Sequence, residues 1–139
     1  MRLYAVLAVG VLVAACDPPP PIKSSSGELI DGVSFEESFP LSNDVKEATL
    51  HGDRLRSGVA LMDKHGVLGL KGDYRANGVL DKSTLTIVIK PVAGAERRVT
   101  FRSCAHEAVC AFFDEAAAQG VVEHKPLVCR NSTPCDKPR

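Results

Sequence analysis

Two short segments of the chain place a histidine close to an aspartate. They are His51-Gly52-Asp53 and Asp63-Lys64-His65. An imidazole near a carboxylate is the smallest acid–base pair, and both side chains also bind metal ions. Residues of these types are common in turns for structural reasons alone. The candidate site of a metal-binding or hydrolytic enzyme therefore comprises His51, Asp53, Asp63 and His65.

Signatures of other catalytic machineries are missing from the sequence. It contains no G-x-S-x-G elbow, no H-E-x-x-H pair, no phosphate-binding glycine loop and no calcium loop. We therefore expect a protein that is not an enzyme, with no catalytic residue, no resident metal and no cofactor. The two histidine–aspartate segments are the alternative to that expectation.

The N-terminus has the pattern of an export signal. Arg2 precedes an apolar run over residues 3–13, which is too short to span a bilayer. Val13-Ala14-Ala15-Cys16 follows, and this segment resembles the lipobox of bacterial lipoproteins. The resemblance implies that Cys16 receives a diacylglyceryl group and that the chain is cut just before it. The protein would then be anchored in the membrane by its acyl chains.

A proline-rich and serine-rich segment follows the proposed lipidation site. Prolines at positions 18–21 favour a stiff polyproline conformation, and residues 24–27 read Ser-Ser-Ser-Gly, a flexible composition. We divide the chain into a signal peptide (1–15), a lipidated tether (16–27) and a periplasmic β-rich domain (28–139). Asp17 resembles the signal that retains some lipoproteins in the inner membrane, which slightly favours that membrane over the outer one.

Apart from Cys16, the chain has four cysteines: Cys104, Cys110, Cys129 and Cys135. An even number in an exported chain predicts two disulfides, because the periplasm oxidises thiols. Both neighbouring pairs have the same spacing, so the sequence leaves all three connectivities open. A four-thiolate zinc site is disfavoured, since its pairs usually have two to four intervening residues. Oxidation also argues against Cys104 as a nucleophile beside His106.

Apolar periodicity predicts the elements that position these residues. Alternation with period two predicts strands at 54–61, 67–74, 84–90 and 98–103, with others near Phe35 and at 48–50. Residues 105–119 have helical spacing and end at Gly120, and a short final strand is predicted at 121–128. The expected fold is mainly β with one C-terminal α-helix, as a small antiparallel sheet or sandwich braced by two disulfides.

The charge distribution suggests one interaction surface. The formal net charge is zero and tryptophan is absent, which argues against nucleic-acid binding. If the strands that carry them share a sheet, one face would present a basic patch made of Arg54, Arg56, Arg98 and Arg102. Arginine suits contacts with carboxylates and is enriched at protein interfaces. The alternative is a solvated face whose arginines are balanced by neighbouring acids.

Together these features predict a membrane-anchored, periplasm-facing lipoprotein that binds another protein of the envelope. It would serve as an accessory subunit of an envelope or secretion complex, or as an immunity or inhibitor protein. A third hypothesis is a carrier of small apolar ligands, which requires a cavity between the sheet and the helix.

Overall fold

A single mixed sheet and two helices make up the part of the chain that the structure describes. The computed structural model covers residues 20–39, 44–77, 83–130 and 133–136, so Cys16 and Asp17 lie outside it. The strands are β1 (Ile22–Lys23), β2 (Leu29–Ser38), β3 (Val45–Thr49), β4 (Gly72–Arg75), β5 (Thr84–Pro91) and β6 (Arg97–Arg102). The helices are α1 (Gly52–Lys64) and α2 (Glu107–Ala118).

The sheet is mixed, whereas the sequence predicted an antiparallel one. Its strand order is β1-β2-β5-β6-β4, with β3 also paired to β2. All pairs are antiparallel except β4 and β6, which run parallel with Tyr74 opposite Phe101. The chain reverses direction between β4 and β5 and again between β5 and β6, so β4 and β6 point in the same direction.

The two sides of the sheet differ in what covers them. The inward side packs on both helices in one core, and it carries Ile30, Val33, Phe35, Leu85, Ile87, Ile89, Val99 and Phe101. Because side chains alternate along a strand, the other side carries their neighbours. We call that side the open face; it comprises Ser34, Glu36, Asp73, Arg75, Thr86, Val88, Lys90, Arg98, Thr100 and Arg102. Its residues are mostly half-buried or exposed, although Val88 and Ser34 are buried.

The segment predicted as a strand at 54–61 is helix α1, so the prediction of a single C-terminal helix is wrong. Its apolar residues alternate, but they also fall at helical spacing, and α1 buries Leu55, Gly58, Val59, Leu61 and Met62. Asp53 lies in the first turn and Lys64 in the last, where each charge interacts favourably with the helix dipole. Helix-forming residue types and these end charges favour a helix here.

Helix α2 and the disulfides confirm two other expectations. α2 falls within the predicted 105–119 segment, and Gly120 follows it with a positive φ of 73°. The disulfides join Cys104 to Cys135 and Cys110 to Cys129. They connect the C-terminal segment to the end of β6 and to α2. Asp136 donates its backbone N–H to the carbonyl of Arg75, so the same segment contacts the last residue of β4.

Three other segments differ from the sequence prediction. Residues 121–128 form no strand, because Pro126 lacks an N–H donor and a 3₁₀ helix follows at Leu127–Cys129. Residues 67–74 divide into a 3₁₀ helix, Val67–Gly69, and the short β4. Part of the expected tether is folded, since β1 pairs with the start of β2. In the described ranges, no helix combines the length and apolarity needed to cross a bilayer.

Candidate functional site

The two histidine–aspartate segments lie at opposite ends of helix α1. His51 is its N-cap residue and His65 its C-cap residue. Asp53 and Asp63 are therefore separated by about 15 Å along the axis, at roughly 1.5 Å per residue. Metal ligands must approach one ion to within about 2 Å, so the four side chains cannot share a metal. The structure does not bring this candidate site together.

Asp63 and His65, at the C-terminal end of α1, contact residues of other elements instead. The carboxylate of Asp63 accepts hydrogen bonds from the backbone N–H and the hydroxyl of Ser25, at 2.8 and 2.7 Å. His65 Nε2 lies 3.2 Å from a carboxylate oxygen of Glu115. Lys64 donates to the same carboxylate, and this hydrogen bond is the main reason that the pKa of Glu115 is lowered. These contacts connect α1 to the β1–β2 turn and to α2.

Cys104 and His106 also serve the fold. Cys104 is in a disulfide and has no free thiol. His106 caps α2, since its Nδ1 accepts from the backbone N–H of Ala108 at 3.2 Å. Its ring makes T-shaped contacts with Tyr74 and Phe101, and burial lowers its pKa. Across the described residues, no three histidine, cysteine or acidic side chains are grouped as metal ligands.

The predicted patch of four arginines does not form. Arg54 and Arg56 are on α1, whereas Arg98 and Arg102 are on β6 and point to the open face. The patch required all four arginines on one sheet. The 54–61 segment is a helix, so Arg54 and Arg56 are not on the sheet. Lys90 also belongs to the open face; it lies on β5 two residues after Val88, which is opposite Arg98.

The arginines of the open face are paired with carboxylates. Arg98 contacts Glu36 and Glu96, each at 3.1 Å. Arg102 contacts Asp73 at 3.3 Å, and Arg75 contacts the same carboxylate at 3.1 Å. Burial alone would raise the pKa of Asp73, but the hydrogen bonds from Arg75 and Arg102 lower it overall. Neighbouring acids therefore balance most of the positive charge on this face.

A groove at the far end of β2 has a different character. It encloses about 500 Å³ between the ends of β2 and β3 and the segment after α2. We call it the cationic groove; it is lined by Glu37, Phe39, Lys46, His124, Lys125, Leu127 and Arg130. Glu37 and Lys46 are directly opposite each other on β2 and β3. Leu127 is 37% exposed, so the groove also offers apolar surface.

Two contacts fix the wall of the groove that follows α2. The backbone N–H of Leu127 donates to a carboxylate oxygen of Glu37 at 3.4 Å. The disulfide of Cys110 with Cys129 attaches the 3₁₀ helix, and with it Leu127 and Arg130, to α2. The wall is therefore held in place before any partner arrives, which lowers the entropic cost of binding.

The groove has an excess of positive charge. Lys46, Lys125 and Arg130 carry full charges, and Glu37 is the one carboxylate in its lining. Lys125 is paired with Asp114 at 2.9 Å. Lys46 Nζ lies 5.7 Å from the centre of the Phe39 ring, a cation–π distance. Among the described residues, neither Lys46 nor Arg130 has a carboxylate within ion-pair distance.

Comparisons with known proteins give no relative. No protein-family model, curated protein or solved structure matches the chain. The geometry of the described residues is therefore the basis for assigning a function.

Three aromatic rings lie between the sheet and α2, where an apolar-ligand carrier would need a cavity. Phe35, Phe112 and Phe113 pack on one another between the sheet and α2, with ring centroids 4.9 to 6.0 Å apart. All three rings are buried.

Sequence reasoning missed the residues of the cationic groove. They come from two parts of the chain about 90 residues apart, which meet where Leu127 contacts Glu37. The available signal was the position of Leu127 and Arg130 on either side of Cys129. That signal becomes informative only when Cys129 is known to pair with Cys110, because the pairing brings this segment onto α2.

Proposed function

We propose that the chain is a lipid-tethered, non-enzymatic protein-binding module of the bacterial cell envelope and that the cationic groove binds the partner. The observation that carries the proposal is the groove itself. Lys46 on β3 and Arg130 on the disulfide-held wall form no ion pair among the described residues, and they line the groove together with the exposed Leu127. Arginine and apolar side chains placed together are typical of protein interfaces.

The location of this module rests on two supports. Val13-Ala14-Ala15-Cys16 resembles a lipobox, and Cys16 is the residue that would carry the acyl chains. Two disulfides fit an oxidising compartment such as the periplasm. Within that compartment the partner is an envelope or secreted protein. The module then acts as an accessory subunit of an envelope complex or as an immunity or inhibitor protein.

Lipidation is tested by metabolic labelling with a palmitate analogue in a Gram-negative host. We expect the full chain to incorporate the label and to fractionate with membranes, and the Cys16→Ala variant to do neither. An unlabelled wild-type chain would refute the anchor and leave the groove to be tested separately.

Partner binding is tested by placing a photo-crosslinking amino acid at Leu127 in the groove and, in a matched variant, at Thr100 on the open face. We expect a discrete adduct from position 127 and none from position 100. Lys46→Glu in the first variant should remove the adduct. Adducts from position 100 alone would assign binding to the open face and contradict the proposal.

A further inference from the structure

Strand β3 has one free edge beside the cationic groove. In the described part of the chain, β3 pairs with β2 on one side and with no strand on the other. All five of its residues are exposed, and Val45 is 62% exposed. At the opposite edge of the sheet, Asp136 donates to the carbonyl of Arg75, the last residue of β4.

The pairing of β3 with β2 determines which backbone groups face this free edge. Leu50 donates its N–H to the carbonyl of Val33 at 3.0 Å, in line with the β2–β3 register. Hydrogen-bonded pairs alternate along an antiparallel ladder, so Ala48 and Lys46 also direct their N–H groups to β2. The N–H groups that face the free edge are those of Val45, Glu47 and Thr49.

A strand added to this edge would bring side chains into the groove. Neighbouring strands lie about 4.8 Å apart, and every second side chain of the added strand would point to the side of the sheet that carries Lys46. Lys46 lines the groove, and Arg130 lies across it. Side chains opposite each other on adjacent strands interact directly, so an acidic residue opposite Lys46 would meet a cation that forms no ion pair among the described residues, although Glu37 lies opposite it on β2.

We propose that β3 takes up an extended segment of the partner protein as an additional strand, with Asp or Glu at the alternate positions that face Lys46 and Arg130. This inference rests on the proposed function and specifies the partner's chemistry. Backbone hydrogen bonds to Val45, Glu47 and Thr49 supply affinity, and the groove supplies selectivity, as in other complexes formed by strand addition.

Charge favours an acidic partner over a second copy of this chain. An antiparallel pair of β3 strands centred on Glu47 would place two like charges opposite each other, which is destabilising. Each copy would also bring a groove with excess positive charge toward the other. The charged residues on β3 thus discourage self-pairing at an exposed edge.

The first test uses three ten-residue peptides and the purified domain. One alternates glutamate with threonine, the second replaces glutamate with lysine, and the third is the glutamate peptide N-methylated at alternate amides. N-methylation leaves the side chains unchanged and removes donors from one edge of the strand. By fluorescence anisotropy we expect the glutamate peptide to bind, and the other two to bind at least about tenfold more weakly.

The second test separates strand pairing from charge in the protein. Glu47→Pro and Glu47→Ala both remove the carboxylate, but only proline removes an N–H that faces the free edge. Proline leaves the hydrogen bonds of β3 to β2 in place. We expect Glu47→Pro to weaken binding of the glutamate peptide about tenfold relative to Glu47→Ala. Amide NMR spectra of both variants establish that each is folded.

The outcomes distinguish this inference from the proposed function. If Glu47→Pro and the N-methylated peptide bind normally while Lys46→Glu abolishes binding, strand addition is refuted and groove binding stands. If no peptide binds while Leu127 still crosslinks to a protein, the acidic strand is refuted and the proposed function stands. A dimer that Glu47→Pro dissociates would make the occupant a second copy and refute the inference.

Discussion

The cationic groove and the open face carry similar numbers of positive side chains, yet they differ in how these charges are compensated. On the open face, Arg98 contacts Glu36 on β2 and Glu96 before β6, and Arg102 contacts Asp73 on β4. In the groove, Lys46 and Arg130 have no carboxylate partner in the described ranges, and apolar side chains lie beside them. A count of cations does not distinguish the two surfaces, whereas the ion pairs do.

This difference has a structural cause. Side chains on one face of a sheet lie close to those of nearby strands, and on the open face Arg98 reaches Glu36 across β5 while Arg102 reaches Asp73 on the adjacent β4. In the groove, Lys46 lies opposite Glu37 in the β2–β3 ladder but forms no ion pair among the described residues, and Arg130 lies outside the sheet on a segment held by a disulfide. Its cations are therefore available to a partner. The predictions below test this contrast, beginning with the largest expected effect.

Removing the disulfide of the groove wall should have the largest effect. The Cys110→Ala/Cys129→Ala double variant opens a loop of 19 residues, for which we expect a loss of about 3 kcal/mol in the free energy of unfolding. Urea denaturation measures this loss. The variant should also bind the acidic peptide more weakly, because Leu127 and Arg130 lose their attachment to α2.

The matched control is the Cys104→Ala/Cys135→Ala double variant. It should lose a comparable amount of stability, because it opens a loop of 31 residues. Its effect falls on the segment that contacts β4, so peptide affinity should be retained wherever the protein stays folded. Equal losses of affinity in the two double variants would contradict the assignment of binding to the groove.

Neutralising the cations of each surface compares the two directly. Lys46→Gln/Arg130→Gln should weaken binding of the acidic peptide about tenfold, because two charges that form no ion pair among the described residues are removed. Arg98→Gln/Arg102→Gln should leave affinity unchanged, since those arginines already contact carboxylates. The measurement is peptide anisotropy at low and high salt. A weaker affinity of the Arg98→Gln/Arg102→Gln variant would show that the open face also contributes to peptide binding, against this prediction.

The packing of helix α1 against the residue that follows β3 should have a smaller effect, and only on stability. Gly58 lies where a β-carbon would collide with Leu50, the residue that follows β3. Gly58→Ala should destabilise the fold by about 1 kcal/mol, because overpacking outweighs the gain in helix propensity. Thermal unfolding measures this change. Gly69→Ala is the control, because open space surrounds its added carbon; a similar loss there would argue against the packing explanation.

The smallest effect concerns pH and helix α2. Burial lowers the pKa of His106 in the folded state, so the unfolded chain binds more protons below the ordinary value of 6.5. Stability is therefore complete above that pH and is lost as the pH falls through the folded-state pKa. Urea midpoints at about pH 7.5 and pH 5.5 should differ, with the lower at acidic pH.

His106→Asn supplies the control for that prediction. Asparagine accepts the same capping hydrogen bond and does not titrate, so the variant should have a flatter pH profile. Over this range Asp73 stays ionised, because its pKa is already lowered, and the open face keeps its charge balance. An unchanged pH dependence in the variant would assign the effect to another group.

The sequence predicted the elements whose signals are local. Strand β5 followed from the alternation of Leu85, Ile87 and Ile89, and α2 followed from helical spacing that ends before Gly120. Helix α1 was missed because its apolar residues satisfy both periods, and only packing against the sheet decides between them. The parallel pairing of β4 with β6 likewise depends on the order of strands in space.

The candidate site was harder to predict than the fold. The cysteine spacing was the same for both local pairs, so the pairing of Cys110 with Cys129 had to come from the structure. The arginine patch was predicted from a strand that is a helix, and its members on β6 proved to be compensated. Contacts between distant segments decide both points, and no local pattern encodes them.

The β1–β2 hairpin has a consequence for how a tethered molecule would be oriented. β1 pairs with the start of β2, and Pro20 and Pro21 line a surface groove beside Ile30. If Cys16 carries acyl chains, the part of the tether from Cys16 to Pro20 spans no more than about 14 Å. Glu37 is seven residues beyond Ile30 on β2, about 24 Å away at the rise of a strand. This short tether would hold the β1–β2 hairpin near the lipid head groups. The groove at the other end of β2 would then point away from the membrane, toward the interior of the periplasm.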